Sequence, residues 1–364
     1  MMTEPMTRAR AALEALFVAD ALSMPVHWYY RPADIFRQFP GGVQAFHDAP
    51  AFHPSSIMSL HSTRQGGRQT RAPASGGDIV GDVILKGKRQ FWDVPNQHYH
   101  QGMRAGQNTL NAHCARAVMR SIAANAGHYD PGVYVQHYIE LLTADPPQHP
   151  DTYAESCHRG FFANLEQGKP PLHCGAVTHD TPSIGGLVTI APIVFAERLR
   201  GNSLEAVQDL CQQHLFLTHP DTGLAQVCRA YVALLDNLLF RGQTDDVMSM
   251  LSHTARHSAG LNLPDLLVRT RDDSDVLGRK YSIACYIDGA WPGILYLAAR
   301  YLDDSKQALI ANANLGGDNV HRGAVLGVLA ALCQPSAQVH ELFQRLADRP
   351  QLDREIDNIL GSQR

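Results

Sequence analysis

The stretch Ala311-Asn-Ala-Asn-Leu315-Gly316-Gly317-Asp318-Asn-Val-His321-Arg-Gly-Ala-Val-Leu-Gly-Val-Leu-Ala-Ala331 decides the reading of the chain. An apolar helical run ends at Leu315, two glycines make a tight break, and Asp318 stands where the next helix begins. Aspartate is a favoured cap because its carboxylate accepts from the free N–H groups of the first turn. The segment 324–331 is small and apolar, so its helix is predicted to be buried on several sides. Asp318 and His321 lie three apart on one face of the first turn. A carboxylate and an imidazole at a buried helix start suit metal ligation or proton transfer. Spacing alone fits a simple cap beside a solvated histidine as well.

Working outward, residues 7–24 carry apolar positions at helical spacing and are predicted to end before Pro25. Asp20 sits late on this helix among Ala and Leu, where a lone acid is costly to bury without a partner. Residues 25–108 are irregular and rich in Pro, Gly, Ser and His, punctuated by Gly41-Gly42, Gly66-Gly67 and Gly76-Gly77. Asp78–Leu85 has the β-branched content of a strand. Asp78, Asp82, His98 and His100 are the polar candidates of this segment, and a long irregular stretch in a compact protein tends to wall a cavity. From Thr109, a predicted cap, the chain turns helical: from Pro131, over 150–166, Ser183–Ala196, 203–217, from the turn at Thr218 to about Phe240, over 244–257 and 264–272, from Ile287, and over 335–364. No strand–helix alternation and no 20–50-residue repeat appears. The fold expected is all-α, one compact domain over 1–364 with an irregular segment at about 30–105.

The 364 residues are 45% hydrophobic and 18% charged, ample for a large core. A net charge of −4 argues against a nucleic-acid-binding surface. No apolar run reaches the roughly 18 residues of a membrane helix, and the first residues lack an apolar signal core. Seven scattered cysteines fit reduced thiols in a cytoplasm rather than a disulfide frame or a zinc knuckle. The 19 histidines crowd the first third and 113–180, which points to a polar cavity.

Four segments, in this order, resemble the ADP-ribosylglycohydrolase family, which also includes the jellyfish J1 crystallins. Ala19-Asp20-Ala-Leu-Ser-Met-Pro-Val-His27-Trp28 is similar to the family's opening Gly-Asp-Ala-Leu-Gly-x-Pro-x-Glu. Gly106-Gln-Asn-Thr109-Leu110-Asn111-Ala112 stands where the family has its Thr-Asp-Asp-Thr metal motif. Ser183-Ile-Gly-Gly-Leu-Val-Thr-Ile-Ala-Pro192 followed by Thr218-His-Pro220 is the third. Asn314-Leu-Gly-Gly-Asp318-Asn-Val320-His321 is similar to Asn-x-Gly-Gly-Asp-x-Asp-Thr and is the most specific. The resemblance covers about Ala11 to Cys333. It implies an all-helical fold, hydrolysis of an ADP-ribosyl bond, and a pocket lined by Thr109, Asn111, His113, Ser183, Gly316 and Gly317.

The departures bear on chemistry. In the family, paired acids and threonines hold two magnesium or manganese ions. Here the adjacent acids of the second motif are Leu110 and Asn111, the second acid of the fourth is Val320, its threonine is His321, and the first motif's glutamate is His27. Hard dications want oxygen donors, mostly carboxylates, so the two-metal centre is expected to be absent. What is expected is no metal, or one weakly held magnesium or manganese on Asp318, helped by Asn111, His113 or His321. Cleaving a ribosyl bond needs stabilisation of an oxocarbenium-like transition state and activation of water. Asp20, Asp318, His27 and His321 are the catalytic candidates, since imidazole titrates near neutral pH. The leading reading is a hydrolase of an N- or O-ribosyl bond acting on a small ribosyl or ADP-ribosyl substrate. A non-catalytic ADP-ribose or nucleotide binder and a crystallin-like structural protein are the alternatives. Oligomeric state is left open.

Overall fold

The computed structural model describes residues 3–56, 58, 78–178 and 180–361. The pairs Gly66-Gly67 and Gly76-Gly77 lie outside the described residues. From Leu110 on the chain is mainly helical, as the periodicity predicts, and the described residues contain only isolated β-bridges and no sheet.

Two helices form the axis. α1 (Glu4–Ser23) starts at a Thr3 cap with Pro5 in its first turn, and α14 (Asn319–Cys333) is buried at every residue. They pack along each other. Their approach depends on glycine: a Cβ at Gly327 would lie 2.5 Å from Ala15 O, and one at Gly323 would lie 3.4 Å from Ala19 O. This close packing brings the end of α1 beside the start of α14.

Around the axis come α2 (Pro32–Gln38), α3 (Leu110–Ala124), α4 (Pro131–Thr143), α5 (Ser156–Glu166), α6 (Ile190–Leu199), α7 (Leu204–Phe216) and α8 (Thr222–Phe240). They are followed by α9 (Val247–Ala259), α10 (Leu263–Arg269), α11 (Asp273–Val276), α12 (Ile287–Arg300), α13 (Ser305–Leu315), α15 (Ala337–Phe343) and α16 (Arg349–Gly361). α13, α15 and α16 lean on α1, α12 and α13 on α14, and α3 sits between α4, α6 and α16. Aspartate caps recur where the sequence turns: Asp130 accepts from Val133 N–H at 2.9 Å and Asp221 from Leu224 N–H at 2.7 Å. One buried apolar cluster runs from Ala9 on α1 to Leu360 on α16.

Three local expectations are corrected. Asp78–Leu85 is not a strand. Ile79–Val83 is a wide helical turn closed by Ile84 N–H to Ile79 O at 2.9 Å, and Gly81, at φ +98°, reverses the chain inside it. Its β-branched side chains are there because the turn buries them. Residues 150–155 precede α5 as irregular chain instead of opening it. Thr109 and Asp318 stand at helix starts, but neither side chain caps its own helix. Both are turned toward partners in the site.

Candidate active site

Gly316 and Gly317 set the site. Both have positive φ, +69° and +64°, which only glycine adopts without strain. A Cβ at Gly316 would lie 2.1 Å from Tyr29 O, and one at Gly317 2.0 Å from Ile283 O. Three backbone bonds use that closeness: Gly317 N–H donates to Tyr29 O at 2.8 Å, Trp28 N–H to Gly317 O at 2.7 Å, and Asp318 N–H to Ile283 O at 2.8 Å. The loop after α1 is thereby pinned to the break before α14, and His27 is delivered to Asp318. The amides of both glycines bond protein carbonyls, so the role visible for them is close approach.

A buried string of polar side chains starts there. Asp318 Oδ1 lies 2.9 Å from His27 Nε2 and 2.8 Å from His321 Nδ1. His27 Nδ1 lies 2.7 Å from His100 Nε2, and His100 Nδ1 lies 2.7 Å from Asp151 Oδ1. Trp28 stacks on His27 with ring centroids 3.7 Å apart. On the other side His321 Nδ1 lies 3.5 Å from Glu155 Oε1. Glu155 Oε2 accepts from the Asn111 amide at 2.7 Å. The other end of that amide meets His158 Nε2 at 2.7 Å, and His158 Nδ1 meets the Tyr138 hydroxyl at 2.6 Å.

Charge follows from this geometry. Burial alone would raise the Asp318 carboxyl, but the adjacent His321 cation and the His27 hydrogen bond hold it well below the carboxylate range. Burial alone would lower His321, yet the carboxylates of Asp318 and Glu155 raise it to about 10. Glu155 moves the other way from Asp318: burial raises it, and His321 offsets only part of that. Burial lowers His27 to about 3, against the pull of Asp318. Asp151 would be raised by burial but is held low by His100. The site thus holds one carboxyl group inclined to keep its proton and one that stays ionised, with an imidazolium between them.

The sequence-derived candidates divide. His27, Asp318 and His321 meet directly, and Asn111 joins them through Glu155. Asp20 sits behind: its carboxylate accepts from Asn108 Nδ2 at 2.8 Å, Thr109 N–H at 2.9 Å and Thr109 Oγ1–H at 2.6 Å. Thr109 therefore faces Asp20. His113 is buried near His149, ring centroids 6.2 Å apart, and is pushed well below the usual histidine range by burial. Ser183 is buried in a backbone bridge to Tyr286, next to which Ile184 N–H donates to Cys285 O at 2.8 Å. Sequence reasoning missed Asp151, Glu155 and His158. Asp151 and Glu155 stand four apart just before and at the start of a helix, a pattern that reads as a solvated face. Asp151 also accepts Leu110 N–H at 2.8 Å, so the start of α3 is capped by a residue 41 positions away.

The ADP-ribosylglycohydrolase family model matches residues 1–364. No curated protein matches the chain at the sequence level. Among solved structures, the fold is similar to one described as an "ADP-ribosylglycohydrolase-related protein complex", with a TM-score of 0.60, 15% identity and coverage of 99% of both chains. At that identity the structural likeness speaks for the fold. Among the described residues, no helix is long and apolar enough to cross a membrane. With a family model spanning every residue, the chain belongs to the ADP-ribosylglycohydrolase family.

Proposed function

We propose that the protein hydrolyses a ribosyl N- or O-glycosidic bond in an ADP-ribosyl or smaller nucleoside-like substrate, using the Glu155–His321–Asp318 group. One observation carries this reading: His321 Nδ1 stands 2.8 Å from Asp318 and 3.5 Å from Glu155, so two carboxyl groups with opposed proton affinity flank one imidazole. Glycoside hydrolysis needs that division, one carboxyl to donate a proton to the leaving group and one charged group to stabilise the oxocarbenium-like centre. Glu155 is the proton donor and the base that activates water, and its side chain retains 14% exposure, which gives substrate access. Asp318 is the ionised partner. Asn111 orients Glu155, and His27 holds Asp318. Asp20 acts through Thr109 as a positioning residue. The whole chain works as one domain, consistent with its continuous core.

The residues gathered here do not fit a pair of magnesium or manganese ions. Asp318 is shared by two imidazoles, Thr109 is committed to Asp20, and both ends of the Asn111 amide are bonded. No step here passes through such a pair.

The test is turnover of an ADP-ribosylated peptide and, in a second arm, of purine and pyrimidine nucleosides. Glu155→Gln and Asp318→Asn are each expected to lower kcat about 10²–10⁴-fold with the fold intact. Normal turnover in both variants would overturn the assignment. Ligand binding without any product from the unaltered protein would favour the binding-protein reading instead.

A further inference from the structure

We propose that His27, Asp318 and His321 together bind one transition-metal dication of the zinc class, in place of the hard-cation pair. The ligand atoms of these three fully buried residues all lie within 4.8 Å of one another. Two imidazoles and one carboxylate form a borderline-soft donor set, suited to zinc or cobalt rather than magnesium. A tetrahedral zinc bonded at about 2.1 Å sets its donors roughly 3.4 Å apart, so the two ring nitrogens, 2.9 and 2.8 Å from Asp318 Oδ1, need to open by only about half an ångström to admit the ion.

A second observation points to a ligand. Asp318 Oδ2 and His321 Nδ1 are buried without a hydrogen-bond partner, since the 2.8 Å approach of Nδ1 to Oδ1 has ion-pair distance but not hydrogen-bond direction. An unsatisfied buried carboxylate oxygen is costly. Behind His27, its Nδ1 lies 2.7 Å from His100 Nε2, and His100 Nδ1 lies 2.7 Å from Asp151 Oδ1. Such imidazole–carboxylate backing orients metal-bound histidines. The neighbouring group Glu155, Cys157 and His158 is weaker, because both His158 nitrogens are bonded to residues outside that group, whereas the partner of His27 Nε2 is its fellow ligand Asp318.

The experiment is calorimetric titration of the chelator-treated full chain with Zn²⁺, Mg²⁺ and Co²⁺. It uses a His257→Gln background, because His253 and His257 form an exposed pair on α9, ring centroids 4.3 Å apart, that offers a surface zinc site. One Zn²⁺ per chain is expected in that background, with no heat from millimolar Mg²⁺ and a visible Co²⁺ absorption band from mixed N/O ligation. Asp318→Asn and His321→Gln should each weaken Zn²⁺ at least 100-fold and abolish the Co²⁺ band while circular dichroism is retained. If Asp318→Asn fails to fold, His27→Gln takes its place. Unchanged affinity in the folded variants, loss of all zinc on removing His257, or Mg²⁺ binding equal to Zn²⁺ would each overturn the proposal. The readout is binding, so it stands or falls separately from turnover.

Discussion

Asp20 illustrates how a residue's role is set by what its oxygens touch. Sequence order makes it a catalytic candidate, but three donors occupy its carboxylate: the Asn108 amide and both the N–H and hydroxyl of Thr109. Burial raises its proton affinity, and the Thr109 and Asn108 bonds pull it back. Asp20→Asn replaces an acceptor with an NH₂ that faces donors, leaving a buried group unsatisfied. We expect a loss of about 3 kcal/mol in unfolding free energy, seen as a lower urea midpoint with unchanged m. An unchanged midpoint would argue that Asp20 is free to act on substrate. Asp318 shows the converse. Its position reads as a cap, but its carboxylate serves His27 and His321, and the first turn of α14 is left to other partners. Arg322 contributes there from one turn further along α14, donating to Asn312 Oδ1 at 2.8 Å and Gly316 O at 2.8 Å and so fixing the glycine break.

At the scale of elements, the contact of α1 with α14 decides whether the site exists. Gly327 lets Ala15 O approach to 2.5 Å of where a Cβ would be, and that atom is backbone, which cannot rotate away. Gly327→Ala should therefore separate the helices locally and cost about 1–3 kcal/mol. Because α1 delivers His27 and α14 delivers Asp318, the same substitution should lower turnover and metal affinity more than its stability cost explains. A variant with lowered melting temperature but full activity would show that the helices relax without moving their ends. α3 and α5 add the other half of the site, and their starts are tied by Asp151, whose two oxygens reach His100 and Leu110 N–H.

The whole molecule is predicted to be acid-sensitive because it buries neutral histidines. Burial lowers His158 and His214 to about 3 and His219 to about 4. Each has a folded value below its unfolded one near 6.5, so the unfolded chain binds the proton first. Stability is therefore full above pH 6.5 and is lost as pH falls below it. Each group should cost about 2 kcal/mol between pH 7 and pH 5. The three together should lower the unfolding free energy by about 6 kcal/mol between the two pH values, measured by urea unfolding, and a flat profile would mean that these histidines are protonated in the folded state. His321 has the opposite sign: its value is raised, so its contribution is present below pH 6.5 and fades as pH rises through about 10.

Local pattern was enough for much of this. Helix positions follow from apolar spacing and from capping residues such as Asp130 and Asp221, because helical hydrogen bonds join residues four apart and their preferences are written nearby. The family resemblance was legible because Asp20, Thr109, Ser183 and Asp318 stand in order in their motifs. His27 and His321 stood out as histidines in place of oxygen ligands. The sequence could not place Asp151 and Glu155, which look like an exposed pair, nor show that His100, within an irregular stretch, reaches His27 73 positions away. It also misread Asp78–Leu85 as a strand, since burial selects the same β-branched residues in a wide helical turn. Those facts belong to the tertiary structure, because charge and proton position depend on burial and on neighbours brought together by chain closure, and no local spacing encodes either.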